Sequence, residues 1–416
     1  MTSQSSRSAP ARSCAGAASS AASAPRRRFI GLLGGGVVLA ATAPLAACSS
    51  GVPSAAVQPW AAVPDSTDIR RWMLAHALLA PNPHNRQPWR ADLRQAGEIR
   101  LQCDGDRLLP KTDPFGRQIL IGCGAFIELA VLAAAERGVA VQVQLFPDGE
   151  PGALELPAGR TVARLRLQEG AAAARDPLFA QIRRRHTHKG PYDNQRSVSA
   201  ADWTKLLSTA TLNAGAASLS AGAIKSGDTT DAARLAQLRQ LTRESWEAEM
   251  LTPEAYLESA HLMRIGPSEI NQHRDGISIT GAMPRLAAAV GLFDRFELPT
   301  RGSSNFQRVM ERWATYETGS GYLWLASRGN SRSAQVLAGR AYVRTHLQAT
   351  ALGIHMHPLS QALQEFAAVK PQYEAVHQLL GFDPATHTVQ MLARVGYGQT
   401  PATPSPRRDL QGLMVV

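Results

Sequence analysis

The stretch "GAFIELAVLAAAERG", residues 124–138, reads as a helix stopped at Gly138, the residue best able to take the left-handed turn that ends one. A second stretch, "GRAYVRTHLQATALG", residues 339–353, has the same length and the same two terminal glycines, with Leu347 falling on Leu132 and Ala349 on Ala134. The flanks extend the parallel. Before the first stretch, "EIRLQC" alternates as a strand with Ile99, Leu101 and Cys103 on one face; after it, "VAVQVQLF" and "TVARLRLQ" read as two more strands, closing near Gln168. Near the C-terminus, "HTVQMLARVG" corresponds to "TVARLRLQEG". The identities are few, and any glycine-stopped helix would share some of them. The expectation is an α+β chain of two tandem halves, residues 65–170 and 171–416, each an antiparallel or mixed sheet flanked by helices. Residues 240–330 have no counterpart in the first half and read as a lid or a dimerisation arm.

The net charge of +11 falls to +6 once the five arginines of residues 1–47 are set aside. Without Lys/Arg runs, that excess gives no argument for nucleic acid. Residues 1–47 read as a targeting segment. Paired arginines and "FI" in "RRRFIG" precede the weakly apolar, glycine-rich run Gly31 to Ala47, the form of a twin-arginine export signal. "LAAC", ending at Cys48, has the form of a lipobox, in which small residues admit the peptidase and the thiol carries lipid. The alternative is an ordinary cleavage site with an incidental cysteine. Such a signal places the protein in the periplasm or cell envelope, and the route commonly exports proteins that took up a cofactor in the cytoplasm. Residues 48–64 read as a tether, and structure is expected from Asp65 to Asp68, helix-capping residues ahead of "IRRWMLAHALLA". Cys103 and Cys123 are expected as buried free thiols, with pairing in an exported protein the alternative. No CxxC or HExxH pattern occurs, and His355-x-His357 alternates like a strand, so no metal is expected.

Chemistry concentrates in three segments. In "LLAPNPHNRQPWRADL", residues 78–93, prolines at 81, 83 and 88 end a helix and surround Asn82, His84, Asn85, Arg86 and Gln87 with fixed backbone. The others are "IRRRHTHKGPY", residues 182–192, and "GYGQTPATPSPRRDLQGLM", residues 396–414. A rigid turn, a solvated helix end at Arg185 and Lys189, and a solvated basic tail at Arg407-Arg408 are the plain readings of the three. Trp89 reads as core, and His186 and His188 as structural.

Taken together, the three segments resemble the flavin-dependent nitroreductase superfamily, which has an Arg-x-Ser-x-Arg segment, a Pro-Ser-x-x-Asn-x-Gln-Pro-Trp segment and a "Gly-Tyr … Pro … Arg" tail. Here the second is Pro81-Asn82-Pro83-His84-Asn85-Arg86-Gln87-Pro88-Trp89, and the first becomes Arg185-His186-Thr187-His188-Lys189. Asn82 stands where the family has Ser, and Lys189 where it has its second Arg. The first half has the proline loop without an Arg segment ahead of it; the second has the Arg segment without a proline loop after it. The pattern is similar to the Acg-type branch, in which one chain acts as a fused dimer.

The resemblance implies one FMN per chain in a monomer acting as an internal pseudo-dimer. Arg185, Lys189, Arg407 and Arg408 would meet the phosphate, with Thr187 adding a hydroxyl. Asn85 and Gln87 would meet the ring's pyrimidine edge, and Pro81, Asn82 and Pro83 would shape the cradle. It implies an oxidoreductase passing electrons to a small organic acceptor, without a dedicated catalytic side chain. A flavin-binding protein without turnover, its insert closed over the ring, is the alternative, and a cofactor-free lipoprotein a third.

Overall fold

The computed structural model describes residues 51–61, 66–210 and 224–415; the stretch read as an export signal and Cys48 lie outside them. Chain order gives α1 (Ser54–Ala61), α2 (Ile69–Ala77), β1 (Trp89–Asp92), β2 (Glu98–Cys103), α3 (Arg117–Glu136), β3 (Val139–Leu145) and β4 (Thr161–Ala172). Next come α4 (Ala200–Ala210), β5 (Ile224–Thr229), α5 (Ala232–Leu251), α6 (Pro253–His261), β6 (Met263–Ile265), α7 (Gly266–His273) and β7 (Ile277–Ile279). Then follow α8 (Ala282–Ala289), α9 (Ser304–Ala314), β8 (Gly321–Arg328), α10 (Arg332–Ala351), β9 (His355–Pro358), α11 (Lys370–Leu379) and β10 (His387–Gly396).

Two antiparallel four-stranded sheets result, ordered β1-β2-β4-β3 and β5-β8-β10-β9. Numbered within its own half, each sheet has the same order, and each has one long helix between its second and third strands. The chain is therefore α+β with one topology used twice.

The long helices α3 and α10 pack on each other, and the glycines of the repeat explain how. A Cβ at Gly124 would collide with the Val336 carbonyl, and one at Gly339 with the Ile121 carbonyl. Residues 121 and 336 stand at the same offset as 124 and 339, so the two contacts exchange under one pseudo-two-fold axis, as in an isologous interface. Arg117 and Arg332 share that offset. Arg117 donates from the first half to Gln390 O at 3.1 Å and to Glu365 at 3.0 Å; Arg332 donates from the second half to Gly152 O at 3.2 Å and Glu155 O at 2.5 Å. Leu132 and Leu347 are buried, as are Ala134 and Ala349.

Between the halves, buried Glu128 accepts from Arg340 at 2.7 Å and Arg344 at 3.0 Å, and Arg344 also reaches Asp176 at 2.7 Å. Burial by itself would raise the Glu128 carboxyl, but the two arginines hold it below its ordinary value. Helix α3 is long and apolar enough to cross a membrane by length and composition, yet it lies in the core against α2 and α10.

The strand readings match: Ile99, Leu101 and Cys103 are buried together on β2, and His355 and His357 lie on β9. Cys103 and Cys123 are buried and unbridged, and their mutual hydrogen bond together with burial pushes the Cys103 thiol up. Asp68 caps α2 through the Arg70 amide. Two readings need correction. Residues 54–61, read as part of a tether, form α1, because Ala56 and Trp60 find apolar cover; Ala56 O also accepts from the Arg407 amide at 2.9 Å. The insert ends before Gly321, because "GYLWLAS" is β8, buried along seven successive residues as an interior strand. Ser50–Val416 form one compact unit holding all these cores.

Candidate functional site

The proline loop leaves α2 in a tight, self-bonded course. Asn82 Nδ2 donates to Ala80 O at 3.1 Å, and Asn82 Oδ1 accepts from the Gln87 amide at 2.6 Å, closing the loop on itself. Pro83–Asn85 make one 3-10 turn, with His84, Asn85 and Gln87 all in left-handed backbone at φ 47, 52 and 51. Only two other non-glycine residues among those described share that region, Phe146 and Arg274, and Arg274 touches this loop. Each such residue costs roughly 1–3 kcal/mol and persists only where its surroundings fix it.

What fixes it is the C-terminal tail. Asn85 Nδ2 donates to Pro406 O at 3.0 Å, and Asn85 Oδ1 accepts from Arg407 Nη1 at 2.6 Å. Gln87 Oε1 accepts from the Arg408 amide at 2.8 Å, and Arg408 Nη2 donates to Gln87 O at 2.8 Å and Trp89 O at 3.2 Å. The tail ends by bridging β1, with the Val415 amide donating to Ala91 O at 2.9 Å. Gln87 Nε2 turns the other way and donates to Arg274 O in the insert, at 2.8 Å. Beside that carbonyl, Asp275 holds Arg264 at 2.8 Å, Arg107 at 3.0 Å and Arg86 at 3.5 Å. So the side-chain amides expected to face a ring edge are engaged: both Asn85 and Gln87 clamp protein to protein.

The arginines behave differently. Arg185 arrives on the segment after the 3-10 turn Pro177–Gln181 and is 2% exposed. It donates once, through Nη2 to Leu79 O at 2.9 Å, leaving Nε buried without a partner. Arg407, also 2% exposed, donates to Leu79 O and Ala80 O at 3.1 and 3.2 Å, and its Nε is likewise unpartnered. Those carbonyls follow the C-terminal end of α2, where a helix favours positive charge. Among the described residues, neither guanidinium has a carboxylate within ion-pair distance.

Burial takes Arg185 down to about 10, and burial together with the Arg185 charge lowers Arg407 well below its ordinary value. His186 alongside is pushed down to about 4, by burial first and then by both arginines. The Trp60 ring covers the pair, 5.6 Å from the Arg185 guanidinium carbon and 5.0 Å from that of Arg407, with the His186 ring edge-on at 4.6 Å.

Farther along, Thr187 is half-buried and Lys189 exposed, and neither makes a hydrogen bond among the described residues. The Lys189 charge still acts on half-buried His84, whose ring is lowered to about 4 mainly by desolvation. His188 packs 4.8 Å from His355, with Nε2 2.7 Å from Thr400 O. Trp89 is core, against Phe126. The structure thus brings Pro81, Asn82, Pro83, Asn85, Gln87, Arg185, Arg407 and Arg408 to one place, with Thr187 and Lys189 running outward from it. Trp60 and the Arg274–Asp275 turn are the members the sequence reading missed. A lone tryptophan in an Ala/Pro-rich stretch was the available signal for the first; the second had none. The described residues hold no group of three or more acidic, His or Cys side chains able to bind a metal.

Two halves of one topology share a helix crossing and one polar junction. No known family profile matches the chain. It is 37% identical over 83 residues to the putative NAD(P)H nitroreductase acg of Mycobacterium tuberculosis, which is 20% of this chain and 25% of that protein. A second putative NAD(P)H nitroreductase of that organism is 36% identical over 85 residues, 20% of this chain and 24% of the other. The chain thus spans about a quarter of the length of the curated relatives it matches, and the similarity is confined to that stretch. Among solved structures, a nitroreductase with bound FMN from Bacteroides fragilis aligns with 58% of this chain and 98% of its own, at 13% identity and a TM-score of 0.36. The FMN-dependent nitroreductase NfnB from Mycobacterium smegmatis, in complex with NADPH, aligns with 56% and 94%, at 16% identity and a TM-score of 0.35.

Proposed function

We propose that this chain is an FMN-binding oxidoreductase of the nitroreductase type. It is exported by the twin-arginine route and held at the cell envelope by lipid on Cys48. One observation carries the reading: Arg185 and Arg407 are buried side by side without a counter-charge among the described residues. Two adjacent buried cations are costly unless an anion joins them. A phosphate supplies two negative charges and several acceptors, and the unpartnered Nε groups are donors that suit it. Arg185, whose guanidinium makes a single hydrogen bond among the described residues, is the principal anchor. Arg407 is shared between the anion and the loop, and Thr187 and Lys189 add donors toward the exterior.

Bound FMN supplies hydride chemistry that no side chain here can. The chain's own part is to hold the phosphate, fix the junction through the strained loop, and orient a small organic acceptor. The side chains of Asn85 and Gln87 support the loop and tail, so the ring edge would meet backbone groups instead. Each chain works as a monomer, its halves standing in for two subunits.

A second reading, a flavin-binding protein without turnover, draws on the insert. Its turn is hydrogen-bonded to the loop through Arg274 O and the Gly276 amide, which lies 3.3 Å from Asn85 O, so the junction is covered from that side. A visible spectrum of residues 50–416, taken before and after heating, tests the main reading. An oxidised-flavin band released by heat at one FMN per chain is expected. A protein that stays colourless after incubation with FMN overturns it. Stopped-flow mixing of the loaded protein with NADPH then separates the readings: bleaching favours the enzyme, an unchanged band the carrier.

A further inference from the structure

The insert carries a surface that the flavin site does not use. Among the described residues, six of the eight exposed large apolar side chains fall between positions 283 and 298: Met283, Leu286, Val290, Leu292, Phe296 and Leu298. Met283 and Leu292 are 74% and 75% exposed, and α8 has no buried residue at all. A patch this concentrated is an interaction surface rather than scattered surface hydrophobicity.

Its place in the fold says what covers it. Gly266, at the start of α7, lies against the Arg285 side chain of α8. The next residues of α7, Pro267 and Ser268, face Pro53, Ser54 and Ala55 across one groove. The chain entering α1 therefore runs past the insert on its way from the N-terminus. Pro53 stands five positions after Cys48, a reach of at most about 18 Å. An anchor at Cys48 would hold the patch close to the bilayer that receives the lipid.

We propose that α8 and the segment through Leu298 form a membrane-contacting surface, seated in the interface of a bilayer. This rests on the lipid-anchor reading of Cys48. An amphipathic contact beside a lipid anchor adds its buried apolar area to the attachment. Over residues 282–298 Arg285 and Arg295 are balanced by Asp294 and Glu297, so the apolar side chains rather than net charge carry the contact.

The test uses residues 50–416, which form one compact unit and lack Cys48. Flotation with vesicles of phosphatidylglycerol and phosphatidylethanolamine should carry the protein upward. The double substitution Met283→Glu/Leu292→Glu should cut the bound fraction by about tenfold or more. Leu154→Glu/Leu156→Glu, at the other exposed apolar site, should leave it unchanged. Absence of flotation, or equal loss in both double variants, overturns the proposal. Concentration-dependent dimers abolished by Met283→Glu/Leu292→Glu, without flotation, overturn it in favour of a second copy. Mass spectrometry of Cys48 in the full chain reads the anchor separately: an unmodified thiol sinks that reading while flotation still decides the patch.

Discussion

The two halves share their frame and differ in their loops. Both have sheet order 1-2-4-3, one long helix, one glycine where the helices cross, and one buried arginine reaching into the other half. Only the first has the strained proline loop; only the second has the arginine segment, the tail and the insert. Shared features are those that packing demands, because helices meeting at backbone distance leave no room for a Cβ. The differing features converge on one junction. Packing therefore explains the symmetric part of the molecule, and the asymmetric part is where a function has to be sought.

The largest effect should come from breaking the bond between the halves. Glu128→Gln leaves buried Arg340 without a full charge opposite, and Arg344 with Asp176 alone, and should cost about 3 kcal/mol or more in urea unfolding. Because the Glu128 carboxyl is held below its ordinary 4.5, its contribution is complete above that pH and fades as pH falls through the lower folded value. The gap between wild type and variant should accordingly close in acid; a gap constant from pH 7 to 3 would show that charge is not its origin.

Next comes the symmetry itself. Gly124→Val and Gly339→Val should each cost about 3 kcal/mol, or prevent folding, because the carbonyl each meets belongs to the opposing helix. Unequal losses would mean that the crossing is not reciprocal. The smallest effect on stability is expected at Arg185. Arg185→Met removes a cation with one hydrogen bond, so the melting temperature should scarcely move, while FMN affinity falls about 10- to 100-fold by equilibrium dialysis. A marked loss of stability with unchanged affinity would make Arg185 a cap on α2 instead.

Much of the frame was legible in the sequence because period and punctuation encode it. Alternation gave β2 and β3, correspondence with β4 gave β10, and Gly138 and Gly353 marked where the long helices stop. The reach of the insert was misjudged because β8 is apolar throughout, without the alternation that marks a half-buried strand. Residue type identified the members of the junction but not their partners. Asn85 and Gln87 have groups suited to a ring edge, yet only three-dimensional proximity shows those groups taken by the tail and the insert. The docking of Trp60 was hidden for the same reason: its neighbours are Arg185 and residues 405–407, far away in the chain.

That docking has a consequence for the order of events during synthesis. The Trp60 indole donates to Ser405 O, the Arg407 amide donates to Ala56 O, and Arg408 is gripped by Gln87. Helix α1 and the proline loop therefore wait for residues 405–408 to leave the ribosome before the junction can close. A polypeptide released early would have both frame glycines and most of both sheets, yet keep an open seam. Residues 405–408 are thus the latch that closes the seam, and a chain that lacks them stays open.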